Sequence, residues 1–376
     1  MKINNFKPTI FKASSFDLVK FKKEYQPKEI IDNFKDQLED YFLITHPKYK
    51  FIKDYQKDFE EFVKKYSKGQ TIEDIGNWIY FPWSNTLIHV LEEKHFFQTK
   101  TARNIYLLTY EEQNKFYNAK IGIAGLSVGS HAALTLAMVG ASKYMKIADN
   151  DVISLSNLNR IRYPLKSIGQ NKALFAASQI YEMNPYANIK IYSDGLNEKN
   201  IEEFLLRPKI DVLVEEMDNL YLKIKIREIA KKHRIPVIMA TDHGDNILVD
   251  IERYDLKPNY PILHGLLGKM SSKDFASVEK DNLVKLTAKL AGAELGNTRM
   301  FKSLFEVGKT IYSWPQLGNA ATLCGAVLTY LAKKIILGQK LKEGRFLVDL
   351  ENLLGFISQE EIKEKEKILK KFFSNV

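Results

Sequence analysis

Residues Lys120–Asp149 read KIGIAGLSVGSHAALTLAMVGASKYMKIAD. A short apolar run, KIGIAG, closes on Gly125. Ser127–Val139 has helical character, and YMKIAD has the texture of a second buried strand ending in aspartate. Strand, glycine turn, helix and strand in this order open a parallel α/β sheet. Working outward, the alternation continues. QNKALFAASQIYEMN, NIEEFLL and LYLKIKIREIAKKH predict helices, while NIKIYS, DVLVEE and PVIMAT predict the strands between them. The expected fold is therefore α/β, a Rossmann-like, doubly wound and mostly parallel sheet with helices on both faces. Such a sheet binds ligands beyond the carboxyl ends of its strands.

On either side the texture changes. Residues 1–117 are rich in Lys, Phe and Tyr and predict a mainly helical N-terminal region. IIDNFKDQLEDYFL and DYQKDFEEFVKKY carry apolar residues at three-to-four spacing. In NWIYFPWSNTLIHVL, Pro82 should end one element and start another, with Trp78, Phe81 and Trp83 packing in a core. Residues 118–254 hold the alternating core, and residues 255–376 complete it. There NYPILHGLLGKMSSKDF reads as loop, KDNLVKLTAKLAG and NAATLCGAVLTYLAKKII as helices, and GRFLVDL as a late strand. The tail SQEEIKEKEKILKKFF, with Ser358 and Glu361 in a capping-box pattern, predicts a last helix.

The candidate chemistry lies at the strand ends. The turn Ala124-Gly125-Leu126-Ser127-Val128-Gly129-Ser130 would aim backbone N–H groups at a phosphate. It lacks the middle glycine of GxGxxG and is one residue short, so a plain tight turn is the alternative reading. Asp149, 24 residues after Gly125, stands where a carboxylate accepts from a ribose. Asp151, then Ser156-Asn157-Leu158-Asn159-Arg160, and Lys172 follow. An amide, a guanidinium and an ammonium converging there suit a triphosphate better than a dinucleotide. Asp218-Asn219 closes DVLVEEM at the same edge; Asp218 is a natural magnesium ligand beside a triphosphate or, alternatively, a helix N-cap. Glu215 and Glu216 precede it; either one of them faces the metal or the pair is split between core edge and solvent. His243 and His264 lie in stretches read as loop, where they could line a substrate pocket; the default reading is a solvent-exposed or locally bonded histidine.

Bulk properties narrow the classes. The formal charge is +10, but acidic residues are interleaved with the basic ones, so no nucleic-acid partner is expected. The most apolar stretch, Thr322–Gly338, is broken by Lys333 and Lys334, and no signal-peptide core is present. The expectation is a cytoplasmic protein with no membrane partner. One cysteine, Cys324, excludes a disulfide framework within the monomer and a zinc site built on several cysteines. It lies in the apolar run ATLCGAVLTYL and reads as a packed thiol.

Taken in order, residues from about Arg103 to Asp250 resemble the ThiF/MoeB/HesA superfamily, the adenylating domain of ubiquitin-activating-type enzymes; SWPQLGNAATLCGAVLTY is similar to its closing helix. The resemblance implies ATP and Mg²⁺ as cofactors. Gly125, Ser127, Gly129, Asp149, Asp151, Asn157, Arg160, Lys172 and Asn219 would hold the nucleotide, and Asp218 the metal. Arg160, Lys172 and Asp218 would serve catalysis, with Arg103 reaching the partner subunit's triphosphate in a homodimer. The substrate would be a carboxylate of a protein, peptide or small molecule, activated as an acyl-adenylate. The chain departs from the family pattern in two respects: it has no paired CxxC motifs, hence no zinc, and Thr241-Asp242-His243-Gly244 stands where many members carry a thioester cysteine. Two other readings stay open, a non-catalytic nucleotide-binding scaffold and an NAD-dependent oxidoreductase.

Overall fold

The computed structural model describes residues 6–141, 143–268, 270–277, 286–296, 298–303, 305–355, 360, 363–364, 366–368 and 370. The chain forms two compact units. The first comprises Met1–Asn114, Ala137–Gly140 and Ala177–Ala187; the second comprises Lys115–Leu136, Ala141–Ala176 and Asn188–Val376.

The first unit has helices at Leu18–Tyr25, Phe34–Thr45, Gln56–Ser67 and Glu93–Thr101. Phe34, Leu38 and Phe42, four residues apart on one helical face, bury against Phe59 of the next helix. This unit also carries a four-stranded sheet absent from the sequence reading, in the order β1 (Thr9–Lys12), β3 (Asn77–Phe81), β4 (Thr86–Val90), β2 (Glu29–Ile31). All five residues of β3 are buried, so the strand shows no polar alternation to betray it. Pro82 does separate two elements, β3 and β4. Trp78 and Phe81 are core residues, whereas Trp83 is half-buried and donates its indole N–H to Glu182 at 2.7 Å. Ile30 and Ile31 belong to β2 rather than to the helix, which begins only after Asp32 and Asn33.

The second unit is built on a seven-stranded sheet. Its order is β11 (Gly344–Val348), β10 (Asn246–Glu252), β9 (Val237–His243), β8 (Val212–Glu215), β5 (Lys120–Ala124), β6 (Tyr144–Ala148), β7 (Asn188–Tyr192). The run β7-β6-β5-β8-β9 is parallel throughout; β10 and β11 add antiparallel to it. Chain order reverses between β5 and β8, which makes their carboxyl ends the switch-point crevice. Strand β10 was not expected from the sequence. It is buried in all seven residues and forms a hairpin with β9. That pairing also carries the strand read in PVIMAT two residues further, through Asp242 to His243, which the sequence reading places in a loop.

Beneath the sheet edge, Arg227 is fully buried and donates through Nε to Glu252 at 2.7 Å and through Nη1 to Glu215, which also receives Lys223 at 2.9 Å. Burial alone would raise the Glu215 carboxyl; Lys223 and Arg227 hold it below its ordinary range. Glu215 is thus consumed by the core. Of the expected helix at 280–292, residues 286–290 are helical and 280–285 lie outside the described residues. Ser358 and Glu361, the caps expected for the last helix, also lie outside them. Among the described residues, no helix is long and apolar enough to cross a membrane.

Candidate nucleotide site at the switch point

Gly125 follows β5 with φ at +91°, and a Cβ there would lie 2.3 Å from the Glu216 carbonyl oxygen. Only glycine lets the turn pass this close to the end of β8. The helix Val128–Met138 starts immediately afterwards, with Gly129 in its first turn. The Ser127 hydroxyl, at the mouth of the turn, is buried and has no hydrogen-bond partner.

Asp149 is fastened to that turn. Its Oδ2 accepts from the Leu126 N–H at 2.6 Å, and its Oδ1 accepts from the Asp151 N–H at 2.8 Å. Each oxygen keeps a further lone pair for a ligand hydroxyl. Burial pushes the carboxyl up, while Lys172 and the two backbone donors pull it back. Lys172 is buried at the start of the helix Lys172–Met183 and reaches Asp151 Oδ2 at 2.8 Å.

The SNLNR segment is a tight, self-capped turn. Asn157 Oδ1 accepts from the Ser154 N–H at 3.2 Å, so Asn157 already spends its carbonyl locally. Arg160 lies half-buried, with Nη1 donating to Ser156 O at 3.0 Å and to Asn159 Oδ1 at 2.9 Å. Its Nε is buried without a partner. The Arg160 carbonyl accepts from His131 Nε2 at 2.6 Å, and burial holds that imidazole below its ordinary range. The closing helix Gly318–Ile336 locks this arrangement in place: a Cβ at Gly325 would lie 2.4 Å from His131 Cβ.

Asp218 lies exposed beyond β8. Among the described residues its carboxylate accepts no hydrogen bond. The cap of the next helix is instead Asn219, whose Oδ1 accepts from the Leu222 N–H at 3.0 Å. The N-cap alternative for Asp218 therefore falls, and Asn219 brings only its amide NH₂ to a ligand. Asp218 and Asp242 both act electrostatically on Arg160, whose guanidinium burial lowers and these two carboxylates raise. Asn159, next to Arg160, donates Nδ2 to the Gln316 carbonyl at 2.8 Å, and Gln316 Nε2 donates to Asp242 Oδ1 at 3.1 Å, so the SNLNR turn and the end of β9 are joined through Gln316.

Two residues that the sequence reading did not place in the site, Asp242 and Glu216, belong to its wall. Asp242 is 4% exposed; its Oδ1 accepts from Gln316 Nε2 at 3.1 Å and its Oδ2 is buried with no partner. Glu216 accepts from the Ala240 N–H at 2.8 Å, and burial raises its carboxyl well above the usual range. The signal for Asp242 is an acidic residue interrupting the otherwise apolar end of a central strand. Cys324 is fully buried in the closing helix, where burial and then Glu216 raise its thiol. His243 is buried on β9 with Nε2 on the Ala291 carbonyl, and His264 contacts Asp250 at 2.8 Å and Tyr260 at 3.0 Å. His243 is thus a strand residue, whereas His264 lies in an irregular turn with a local partner, as its sequence setting leads one to expect. Arg103 belongs to the first unit, exposed on a short turn, Ala102–Asn104.

The residues present fit a nucleotide and a divalent cation. Unpartnered Ser127 Oγ and Arg160 Nε are donors for phosphate oxygens, Asp149 offers lone pairs for a ribose, and Asp218 is an uncommitted carboxylate. Among the described residues, no cluster of three or more His, Cys, Asp or Glu is arranged to hold a metal. A cation here would share its coordination between Asp218 and ligand oxygens.

Fold and crevice together define a doubly wound α/β domain whose candidate site lies beyond the carboxyl ends of its strands. Residues 101–346 match the ThiF family, and the chain belongs to it. It is 35% identical over 288 residues to uncharacterized protein MT1398 of Mycobacterium tuberculosis, covering 77% of this chain and 40% of that protein. It is 25% identical over 181 residues to the molybdopterin-synthase adenylyltransferase of Haemophilus influenzae, covering 47% of this chain and 72% of that enzyme. The tRNA threonylcarbamoyladenosine dehydratase of Bacillus subtilis is 27% identical over 180 residues, covering 46% of this chain and 70% of that protein. Among solved structures, Escherichia coli MccB aligns over 68% of this chain and 64% of its own, with a TM-score of 0.46 and 18% identity.

Proposed function

We propose that the second unit is an ATP- and Mg²⁺-dependent adenylyltransferase site that activates a carboxylate as an acyl-adenylate. The observation that carries this reading is a pair of uncommitted groups beyond the strand ends: Arg160, whose buried Nε has no partner among the described residues, and exposed Asp218, whose carboxylate accepts no hydrogen bond from them. A guanidinium with spare donors beside a free carboxylate is what a metal-bound triphosphate requires. Curated relatives named as adenylyltransferases support the same chemistry. In the proposed reaction a carboxylate oxygen attacks the α-phosphorus, the bond to the β-phosphate bridge breaks, and pyrophosphate leaves. Arg160 and Lys172 stabilise the charge that develops, Asp149 fixes the ribose, and the glycine turn carries the phosphates. Mg²⁺ held by Asp218 would neutralise the leaving pyrophosphate. No protein nucleophile is needed, in keeping with a Cys324 thiol that burial keeps protonated.

The substrate is a carboxylate of a protein, peptide or small molecule, and the enzyme is a homodimer in which Arg103 serves the partner's site. ATP–pyrophosphate exchange, run against a panel of peptides and carboxylic acids, tests this reading. Exchange that requires Mg²⁺ and one class of carboxylate is expected. Folded protein that binds neither ATP nor AMP would overturn it.

A further inference from the structure

Two buried polar atoms of opposite kind lie on segments joined through Gln316, whose carbonyl accepts from Asn159 Nδ2 at 2.8 Å and whose Nε2 donates to Asp242. Among the described residues, Arg160 Nε is a donor without an acceptor, and Asp242 Oδ2 is an acceptor without a donor. Leaving either group buried and unpaired costs stability, and a charged group costs more. The two residues attract one another but form no direct ion pair. Arg160 is instead folded back, with Nη1 on the Ser156 carbonyl and Asn159 Oδ1. Both residues are held from behind. Gln316 fixes the other oxygen of Asp242 at 3.1 Å, and His131 fixes the Arg160 main chain at 2.6 Å. What remains free is the swing of the Arg160 side chain.

We propose that Asp242 is the positioning residue for Arg160: on nucleotide binding the guanidinium leaves Ser156 and Asn159, donates Nε–H to Asp242 Oδ2, and presents its Nη edge to the phosphates. This rests on the adenylation reading and adds a residue to it. A guanidinium has five donors in a rigid plane, so one edge can be held by a carboxylate while the other forks onto a phosphate. Without an anchor, the same side chain would spend rotamer entropy on every phosphate contact. Asp218 also attracts Arg160 electrostatically, but it is exposed and does not share the buried, half-satisfied state of Asp242. The roles separate as metal ligand and anchor.

Calorimetric titration of the full chain tests the pairing, with α,β-methylene-ATP plus Mg²⁺ as the triphosphate probe and adenosine as the phosphate-free probe. Asp242→Asn is expected to weaken the triphosphate analogue about tenfold and to leave adenosine unchanged. On an Arg160→Ala background the same substitution should change the analogue's affinity less than about twofold, because the group it positions is gone. In protein labelled at arginine Nε, the Arg160 Nε–H resonance should shift on adding the analogue to wild type and stay fixed in Asp242→Asn. Should Asp242→Asn fail to fold, Gln316→Met releases the carboxylate and is expected to show the same selective loss, a few-fold in size. An undiminished loss on the Arg160→Ala background, an equal loss for adenosine, or no loss from either variant would overturn the proposal. Wild-type protein that binds adenosine but gains nothing from the phosphates would instead overturn the adenylation reading, and the pairing with it.

Discussion

The Leu126 N–H donates to Asp149 Oδ2 at 2.6 Å, joining the glycine turn after β5 to the end of β6. The Asp151 N–H occupies the other oxygen at 2.8 Å. One carboxylate therefore sets the turn and offers the ribose its remaining lone pairs. Asp149→Asn leaves one of two N–H donors facing an amide NH₂, at a cost of about 1–3 kcal/mol in stability. Wild type should discriminate ATP from its 2′,3′-dideoxy analogue in binding, and the variant should not. Equal affinity of wild type for the two nucleotides would contradict the ribose assignment.

Asp218 separates fold from function. It is exposed and accepts no hydrogen bond among the described residues, so Asp218→Asn should change stability within about 0.5 kcal/mol. Mg²⁺-dependent pyrophosphate exchange should nonetheless collapse. A variant with wild-type exchange and wild-type Mg²⁺ dependence would remove Asp218 from the metal.

Much of this arrangement was legible in the sequence, for a physical reason. Buried parallel strands are short apolar runs, and their ends carry the polar residues, so KIGIAG, YMKIAD and DVLVEE each pointed to a site residue. Asp242 escaped because β9 runs on through Thr241 and His243 and pairs with β10. Strand β10 is buried along its whole length and lacks the alternation that marks a half-exposed strand. The same burial hid β3 in the first unit. Asn157 and Asn219 were visible as polar residues following the strand ends. Their local capping bonds are set by backbone geometry that a motif does not encode.

The thiol gives a third test. Cys324→Ala should leave adenylation intact and cost about 1 kcal/mol in packing. Iodoacetamide at pH 8 should label Cys324 only after denaturation, since burial raises its thiol well above the usual range. A thioester trapped on Cys324 would defeat this account of the residue.

Lys146 carries a pH signature away from the site. Lys146 is 5% exposed, and its ammonium donates to the carbonyls of Phe204 at 2.8 Å and Pro208 at 2.7 Å. Burial, then Lys190, lowers its pKa to about 8. Above that pH the folded chain releases the proton while the unfolded chain keeps it until about 10.4. The contribution to stability is thus present at high pH and lost as pH falls towards 8. Between pH 7 and 9.5, denaturant unfolding of wild type should gain on the order of 1 kcal/mol relative to Lys146→Met. Parallel curves for the two proteins would show that the carbonyls hold the charge in full.

Shared sites would appear in a mixing experiment. Arg103→Ala and Asp218→Asn proteins, each inactive alone, should regain about a quarter of the wild-type sites when subunits exchange at random in a two-fold dimer. No recovery despite demonstrated exchange would place Arg103 in its own subunit's reaction, or in none.

Calorimetric comparison of ATP with Mg²⁺ against NAD⁺, on the same full-length protein, bears most directly on the switch-point site. The account predicts saturable binding of one ATP per chain, strengthened by Mg²⁺ in wild type and indifferent to Mg²⁺ in Asp218→Asn, with NAD⁺ weaker by at least about tenfold. Tight, metal-independent binding of NAD⁺ with none of ATP would contradict it.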